Sequence, residues 1–182
     1  MIRIGHSKSR ASWLTVAFLS GLLLNVPLSA RADSAQLAPP APFVTTTGQE
    51  MSTSSLKEQP TLLWLLSTWC GSCAAGLHTL SDHAAALQKA GIRIVVLRNY
   101  KNDGFPGMSI DAFVKRVLPN FVPPKNWIVG QASRMLNRRY NGRHYPDIYY
   151  LIDAQGKIRA VGSAPSVTMN KILAFARNPA SH

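Results

Sequence analysis

Thr61 to Gly91, TLLWLLSTWCGSCAAGLHTLSDHAAALQKAG, decides the fold. Leu62 to Leu66 is a short, fully apolar run that stops at Ser67-Thr68, and such a run bounded by polar residues reads as a buried strand. Trp69-Cys70-Gly71-Ser72-Cys73 follows it. Beyond, Leu77, Leu80, Ala84 and Leu87 recur at three- and four-residue spacing, one face of a helix. The cysteines therefore stand where a strand hands over to the first turn of a helix. The first N–H groups of a helix lack internal partners, and the peptide dipoles add partial positive charge there. A thiol at that end ionises more readily, and the thiolate is the reactive form. Two cysteines separated by two residues can close a small disulfide while the first points outward. Cys70 then reads as the exposed nucleophile and Cys73, one turn into the helix, as the resolving thiol. Gly71 permits the tight turn between them, the backbone amides near Ser72 and Cys73 stabilise the thiolate, and Trp69 is either a rim beside the disulfide or a core residue.

The 182 residues allow one domain of ordinary size once the ends are trimmed. Arg3, Lys8 and Arg10 precede a largely apolar run from Trp13 to Leu28, and Ala30-Arg31-Ala32 supplies an A-x-A pattern. That is the layout of a signal peptide over residues 1–32, with an uncleaved N-terminal anchor as the competing reading. Asn25 and Pro27 cut the run below the 18 or so residues that a spanning helix prefers, which favours cleavage after Ala32. Export gives the cysteines a second reading, as one structural disulfide of an oxidising compartment. A two-residue loop constrains little unfolded-state entropy, however, and a mature chain of about 150 residues buries an adequate core without staples. Reactivity explains the pair better than stability does.

Asp33 to Pro42, DSAQLAPPAP, has no amphipathic period and reads as an extended linker. Phe43 to Pro60, with Gly48 between short Thr- and Ser-containing pieces, suggests a hairpin leading into the first core strand. Gly91 stops the cysteine helix, and Ile92 to Leu97 reads as a second strand, parallel to the first through a right-handed crossover. After a polar loop from Tyr100 to Gly107, Ser109 caps a short helix with the face Ile110, Phe113, Val114 and Val117, ended by Pro119. A brief strand at Trp127 to Val129 and a helix from Ala132 to Tyr140 come next. Tyr145-Pro146-Asp147 then opens a strand, Ile148 to Ile152, which Asp153-Ala154-Gln155-Gly156 turns into an antiparallel partner, Lys157 to Val161. Ser166 to Arg177 forms a closing helix. There are no internal repeats and no second domain.

TWCGSC after an apolar strand, with YPDIYYLIDAQGKI downstream, resembles the thioredoxin fold. More narrowly the chain is similar to exported thioredoxin-like proteins of the TlpA type, whose leading hairpin and polar turn GQEMSTSSLKEQPTLLWLLSTWC also resembles. The resemblance spans Phe43 to Arg177. It implies an α/β, three-layer domain over residues 43–178, with a central mixed sheet flanked by helices and an N-terminal β-hairpin. It further implies that Pro146 is a cis proline facing the disulfide, beside a backbone edge on which an extended substrate peptide can lie. A trans proline at a strand start, where no ladder N–H is needed, is the alternative. The departures from the family are specific. Trp64 stands where thioredoxins keep a buried acid, Gly76 where TlpA-like proteins often carry a glutamate, His78 in place of the helix-kinking proline, and Ser72 where thioredoxins have a proline. No carboxylate is then evident to deprotonate Cys73, and His78 or a water is left to serve.

Four of the 20 basic residues precede Ala32 and all eight acids follow it, leaving sixteen against eight and a net charge of +8 for the mature chain. Arg134, Arg138, Arg139 and Arg143, with His144, cluster ahead of the Tyr145-Pro146 loop. If that loop faces the cysteines, the cluster lowers the thiolate pKa and attracts acidic partner surfaces; otherwise it is a solvated helix face. No recognition motif accompanies the charge, so nucleic acid is not an expected partner. Cys70, Cys73, His78 and His83 have the spacing of a zinc knuckle, but positions five apart on a helix diverge by about 140° and do not share one metal. A reduced dithiol suits Cu(I), with His78 or His144 adding a ligand, although family copper chaperones place three residues between their cysteines rather than two. The reading is an exported protein-disulfide oxidoreductase with no cofactor beyond a redox-active Cys70–Cys73 disulfide and no metal. Trp69, Gly71, Ser72, Tyr145 and Pro146 support the site. Expected partners are cysteine-containing exported proteins and a membrane thiol relay as electron source, and the protein is expected to be a monomer. The resemblance favours the reductase direction. A disulfide donor, or a binding protein that merely retains the fold, are the alternatives.

Overall fold

A computed structural model describes residues 35–180, so the signal-peptide reading of residues 1–32 lies outside the described residues. Residues 35–42 are extended and lie along the domain. Gln36 accepts from the Ile158 N–H at 2.8 Å, Ala38 donates to Gly156 at 2.8 Å, and the Pro39 carbonyl accepts from Thr53 Oγ1 and the Tyr140 hydroxyl. The spacer is thus docked to the domain rather than swinging free of it.

Strand β1 (Pro42–Thr45) and strand β2 (Glu50–Ser52) form the hairpin, with Gly48 at a φ of +82° that favours glycine. Strand β3 (Thr61–Leu66) leads into helix α1 (Gly71–Asp82), and the segment continues as α2 (Ala84–Lys89) to strand β4 (Arg93–Arg98), parallel to β3. One continuous helix was expected here. It is broken at His83, whose N–H and Nδ1 both converge on the Thr79 carbonyl. Helix α3 (Ile110–Val117), capped by Ser109 as expected, is followed by strand β5 (Trp127–Ala132) and helix α4 (Arg134–Tyr140), capped by Ser133. Strands β6 (Asp147–Ile152) and β7 (Ile158–Gly162) form the second hairpin before helix α5 (Pro165–Arg177).

The seven strands make one mixed sheet in the order β2-β1-β5-β4-β3-β6-β7. All six residues of β3 are buried because both faces of the sheet are covered. Leu62, Trp64 and Leu66 join Leu77, Phe113 and Ile172 from α1, α3 and α5, while Leu63 and Leu65 join Phe43, Leu136 and Tyr140 on the other face. The alternation of a strand thus distributes a continuous apolar run between two cores. This is the three-layer α/β architecture expected from the sequence.

Two consequences position the site. The parallel β3–α1–β4 unit sets the cysteines at the C-terminal end of β3. The antiparallel β3–β6 pairing brings the start of β6 to that same end, so Leu66 pairs with Asp147. Trp64 fills the space between β3 and α1 so closely that a Cβ on Gly76 would lie 2.8 Å from its ring and 3.3 Å from Pro165 Cδ. Gly76 is required there by the ring and not by its backbone. Gly76→Ala is therefore expected to lower stability by roughly 1–3 kcal/mol through overpacking, read as a lower urea midpoint at unchanged slope. An unchanged midpoint would contradict this packing.

Candidate active site

Cys70 is the N-cap residue of α1, with β-region φ and ψ of −88° and 117°, and its carbonyl accepts from the Cys73 and Ala74 amides. Both cysteines are free thiols in the structure. Cys70, expected to be exposed, retains 7% of its surface, and Cys73 retains none. The order of accessibility within the pair is as read, but Cys70 is far better covered than expected. Cys70 Sγ lies 3.0 Å from Ser72 Oγ, and the Cys73 thiol donates to the Pro146 carbonyl at 3.4 Å. Gly71 does not have the steric role expected of it. Its φ is not in the left-handed region and a Cβ would meet nothing within 4 Å.

Tyr145 and Pro146 are brought beside Cys73, but two expectations about them are corrected. No peptide bond among the described residues is cis, so Tyr145–Pro146 is trans. The backbone edge at Tyr145 is also occupied. Its N–H donates to Asn141 Oδ1 at 2.8 Å, and its carbonyl accepts from Asn141 Nδ2 at 2.6 Å and Asn99 Nδ2 at 3.2 Å. The edge is closed because the chain reverses at His144, at a φ of 56°, and Asn141 and Asn99 hold the Tyr145 N–H and carbonyl. The Pro146 carbonyl is likewise taken, by Cys73 and by the Ser67 N–H at 2.8 Å.

The missing acid is present, on another strand. Asp147, the residue after Pro146, is only 6% exposed, and its Oδ1 accepts from Trp64 Nε1 at 2.6 Å while Oδ2 accepts from the Ala164 N–H at 2.9 Å. Burial pushes its carboxyl above the usual range, partly offset by those two hydrogen bonds. Burial, contact with Cys70 and the negative charge of Asp147 together push the Cys73 thiol far up. Asp147 was legible as part of Tyr145-Pro146-Asp147, and the pairing of two strands that both end at the motif was the signal that could have singled it out. His78, by contrast, is exposed on α1.

A second set of residues passed unnoticed in the sequence. Lys101, Asn102 and Asp103 adopt left-handed φ values of 50°, 56° and 57° before Gly104 at 87°. Residues other than glycine cost on the order of 1–2 kcal/mol each in that region. A buried polar network holds them. Asn102 Oδ1 accepts from the Thr68 N–H at 2.8 Å, and the Asn102 carbonyl accepts from Trp69 Nε1 at 3.2 Å. Asp103, whose side chain is 2% exposed, accepts from Ser67 and Asn137 and faces His144 Nδ1 at 3.3 Å. Asn99 joins Ser67 to Tyr145. The only forewarning was the Asn-Asp-Gly composition of the loop, which tolerates left-handed backbone.

Around the thiols the surface is apolar and cationic. Trp69, 45% exposed, packs on exposed Phe105 with ring centroids 5.0 Å apart, so it is a rim residue rather than a core one. Ser72, Tyr145, Pro146 and Asp147 line a groove of about 370 Å³ that continues over Val161 and Ala164. Arg139 and Arg143 line an adjoining cavity of about 290 Å³, which shares Tyr145 and Ile148 with the groove. Among the described residues no group of three or more His, Cys, Asp or Glu converges as metal ligands would, and no helix is long and apolar enough to cross a membrane.

Solved structures share this architecture. A thiol:disulfide interchange protein from Bacteroides sp. superposes with a TM-score of 0.60 at 14% identity, covering 81% of this chain and 92% of that one. A secreted Mycobacterium tuberculosis disulfide oxidoreductase homologous to E. coli DsbE gives 0.56 at 20% identity, covering 75% and 93%. BsSco, a member of the Sco family of cytochrome c oxidase assembly proteins described as having a disulfide switch, gives 0.56 at 15% identity, covering 80% and 95%. No protein-family model matches the sequence, and no curated protein does. The chain has the thioredoxin fold.

The raised carboxyl of Asp147 has a thermodynamic signature. A group whose folded pKa lies above its unfolded value, about 3.9, stabilises the fold below that value and loses its contribution as pH rises through the folded pKa. Asp147→Asn is therefore expected to gain stability relative to the parent as pH rises from about 4 toward neutrality, measured by urea unfolding of the reduced proteins. A pH-independent difference would contradict the assignment.

Proposed function

We propose that the protein is a thiol–disulfide oxidoreductase of exported proteins, working through a Cys70–Cys73 disulfide and mainly in the reductase direction. The observation that carries the reading is the convergence on one pair of thiols of the α1 N-terminus, the Pro146 carbonyl and the buried Asp147 carboxylate. Cys70 attacks a client disulfide, and one client sulfur leaves as a thiolate that takes a proton from solvent. The Cys73 thiol then gives its proton to Asp147 as its sulfur attacks Cys70, breaking the bond to the client. The products are the Cys70–Cys73 disulfide and the second client thiolate, which the Asp147 proton neutralises. Two electrons pass from the dithiol to the client, and a membrane thiol relay is the proposed source of their replacement.

The reductase direction rests on the TlpA resemblance; the α1 N-terminus stabilises a reduced thiolate, which acts the other way. Export rests on the N-terminal sequence, with residues 1–32 as signal peptide or anchor ahead of the domain. Disulfide donation and Cu(I) binding by the dithiol are the competing readings.

Cys73→Ala should accumulate mixed disulfides through Cys70 when reduced protein meets an extract of exported proteins, and Cys70→Ala should trap none. Reducing and non-reducing gels with mass spectrometry read the outcome. Capture by neither variant would remove the exchange reading, and a stoichiometric copper complex in protein purified under reducing conditions would favour the metal one.

A further inference from the structure

The backbone of Tyr145 is closed to an incoming peptide. Its N–H and carbonyl are held by Asn141 and Asn99, and the neighbouring Pro146 carbonyl by Ser67 and Cys73. Recognition of a client must then rest on side chains. Arg139 and Arg143 line the cavity that adjoins the groove; both are exposed, among the described residues no carboxylate pairs with either, and one Arg139 N–H donates to the Pro40 carbonyl. Asp103, joined to this region through His144 and Asn137, is buried and already engaged. The end of α4 accounts for Arg138 and Arg139, since cations are favourable beside the last carbonyls of a helix. It does not account for Arg143, beyond the helix and beside the Tyr145 side chain.

We infer that this face, from the Arg139–Arg143 cavity to the groove at Ser72 and Tyr145, selects client segments that carry carboxylates near the reactive cysteine. The shared wall of Tyr145 and Ile148 makes the cavity and the groove one continuous surface. A client lying across it sets its cysteine toward Cys70 while Asp or Glu side chains meet the guanidinium forks. Arginine binds carboxylate with two parallel hydrogen bonds, and a patch of one sign accelerates encounter with the opposite one. Trp69 and Phe105 supply apolar contact on the other side of the thiols. The inference deepens the exchange reading and rests on it.

The test uses reduced full-length protein and two peptide disulfides that differ only in Glu or Lys flanking the cysteine. Uncharged bis(2-hydroxyethyl) disulfide is the reference, and each peptide rate is divided by the same protein's rate with it. The Glu peptide should react at least about tenfold faster at low salt, with the advantage shrinking toward parity as salt shortens the Debye length to about 3 Å at 1 M. The double variant Arg139→Glu, Arg143→Glu should invert the preference. Equal rates for the two peptides, with the uncharged disulfide still reduced, would overturn the inference and leave the exchange reading standing. No reduction of any of the three would overturn both.

Discussion

The hydrogen bond between Trp64 and Asp147 is the interaction on which the rest of the site depends. An indole in the middle of β3 needs a partner for its N–H once it is buried, and Asp147 supplies one at 2.6 Å. In return the donor, with the Ala164 amide, partly offsets the upward push that burial gives the Asp147 carboxyl. The same ring forbids any side chain at Gly76. Trp64 and Gly76, which look like unrelated departures in the sequence, thus form one packed unit with Asp147.

Much of this fold was legible because its elements carry local signals. The apolar run of β3, the helical spacing of Leu77 and Leu80, the Ser109 cap and the glycines of the turns each specify their own segment. The family resemblance placed Tyr145 and Pro146 near the cysteines, and the antiparallel β3–β6 pairing is what puts them there. What was not legible depends on tertiary contacts. The break at His83 arises from a side chain competing for the Thr79 carbonyl. The left-handed run at Lys101 to Asp103 persists only because buried amides from distant segments hold it. Asp147 stood in a motif already in view, yet its burial and its proximity to Cys73 follow from the strand register and not from its neighbours in sequence. Gly71, read as necessary for the turn, is free of any steric demand, because the turn is made by Cys70 in the β region.

The polar network gives the site rigidity at the expense of an open binding edge. Ser67, Asn99, Asn102, Asp103, Asn137 and Asn141 join the loop before the cysteines to the loop before Pro146, so the two walls of the thiol site are tied to each other. Buried polar groups that are fully paired specify one arrangement, and those left unpaired are expensive. The arrangement specified here satisfies Tyr145 internally and leaves Trp69, Phe105 and Arg143 exposed.

The most direct measurement is the equilibrium reduction potential of the Cys70–Cys73 pair against a dithiothreitol series. The exchange reading predicts a reversible two-electron couple, and its reductase direction predicts a value near the thioredoxin one of about −270 mV. A potential near about −120 mV would reverse the direction of electron flow, and the absence of any titratable couple would contradict the account at its centre.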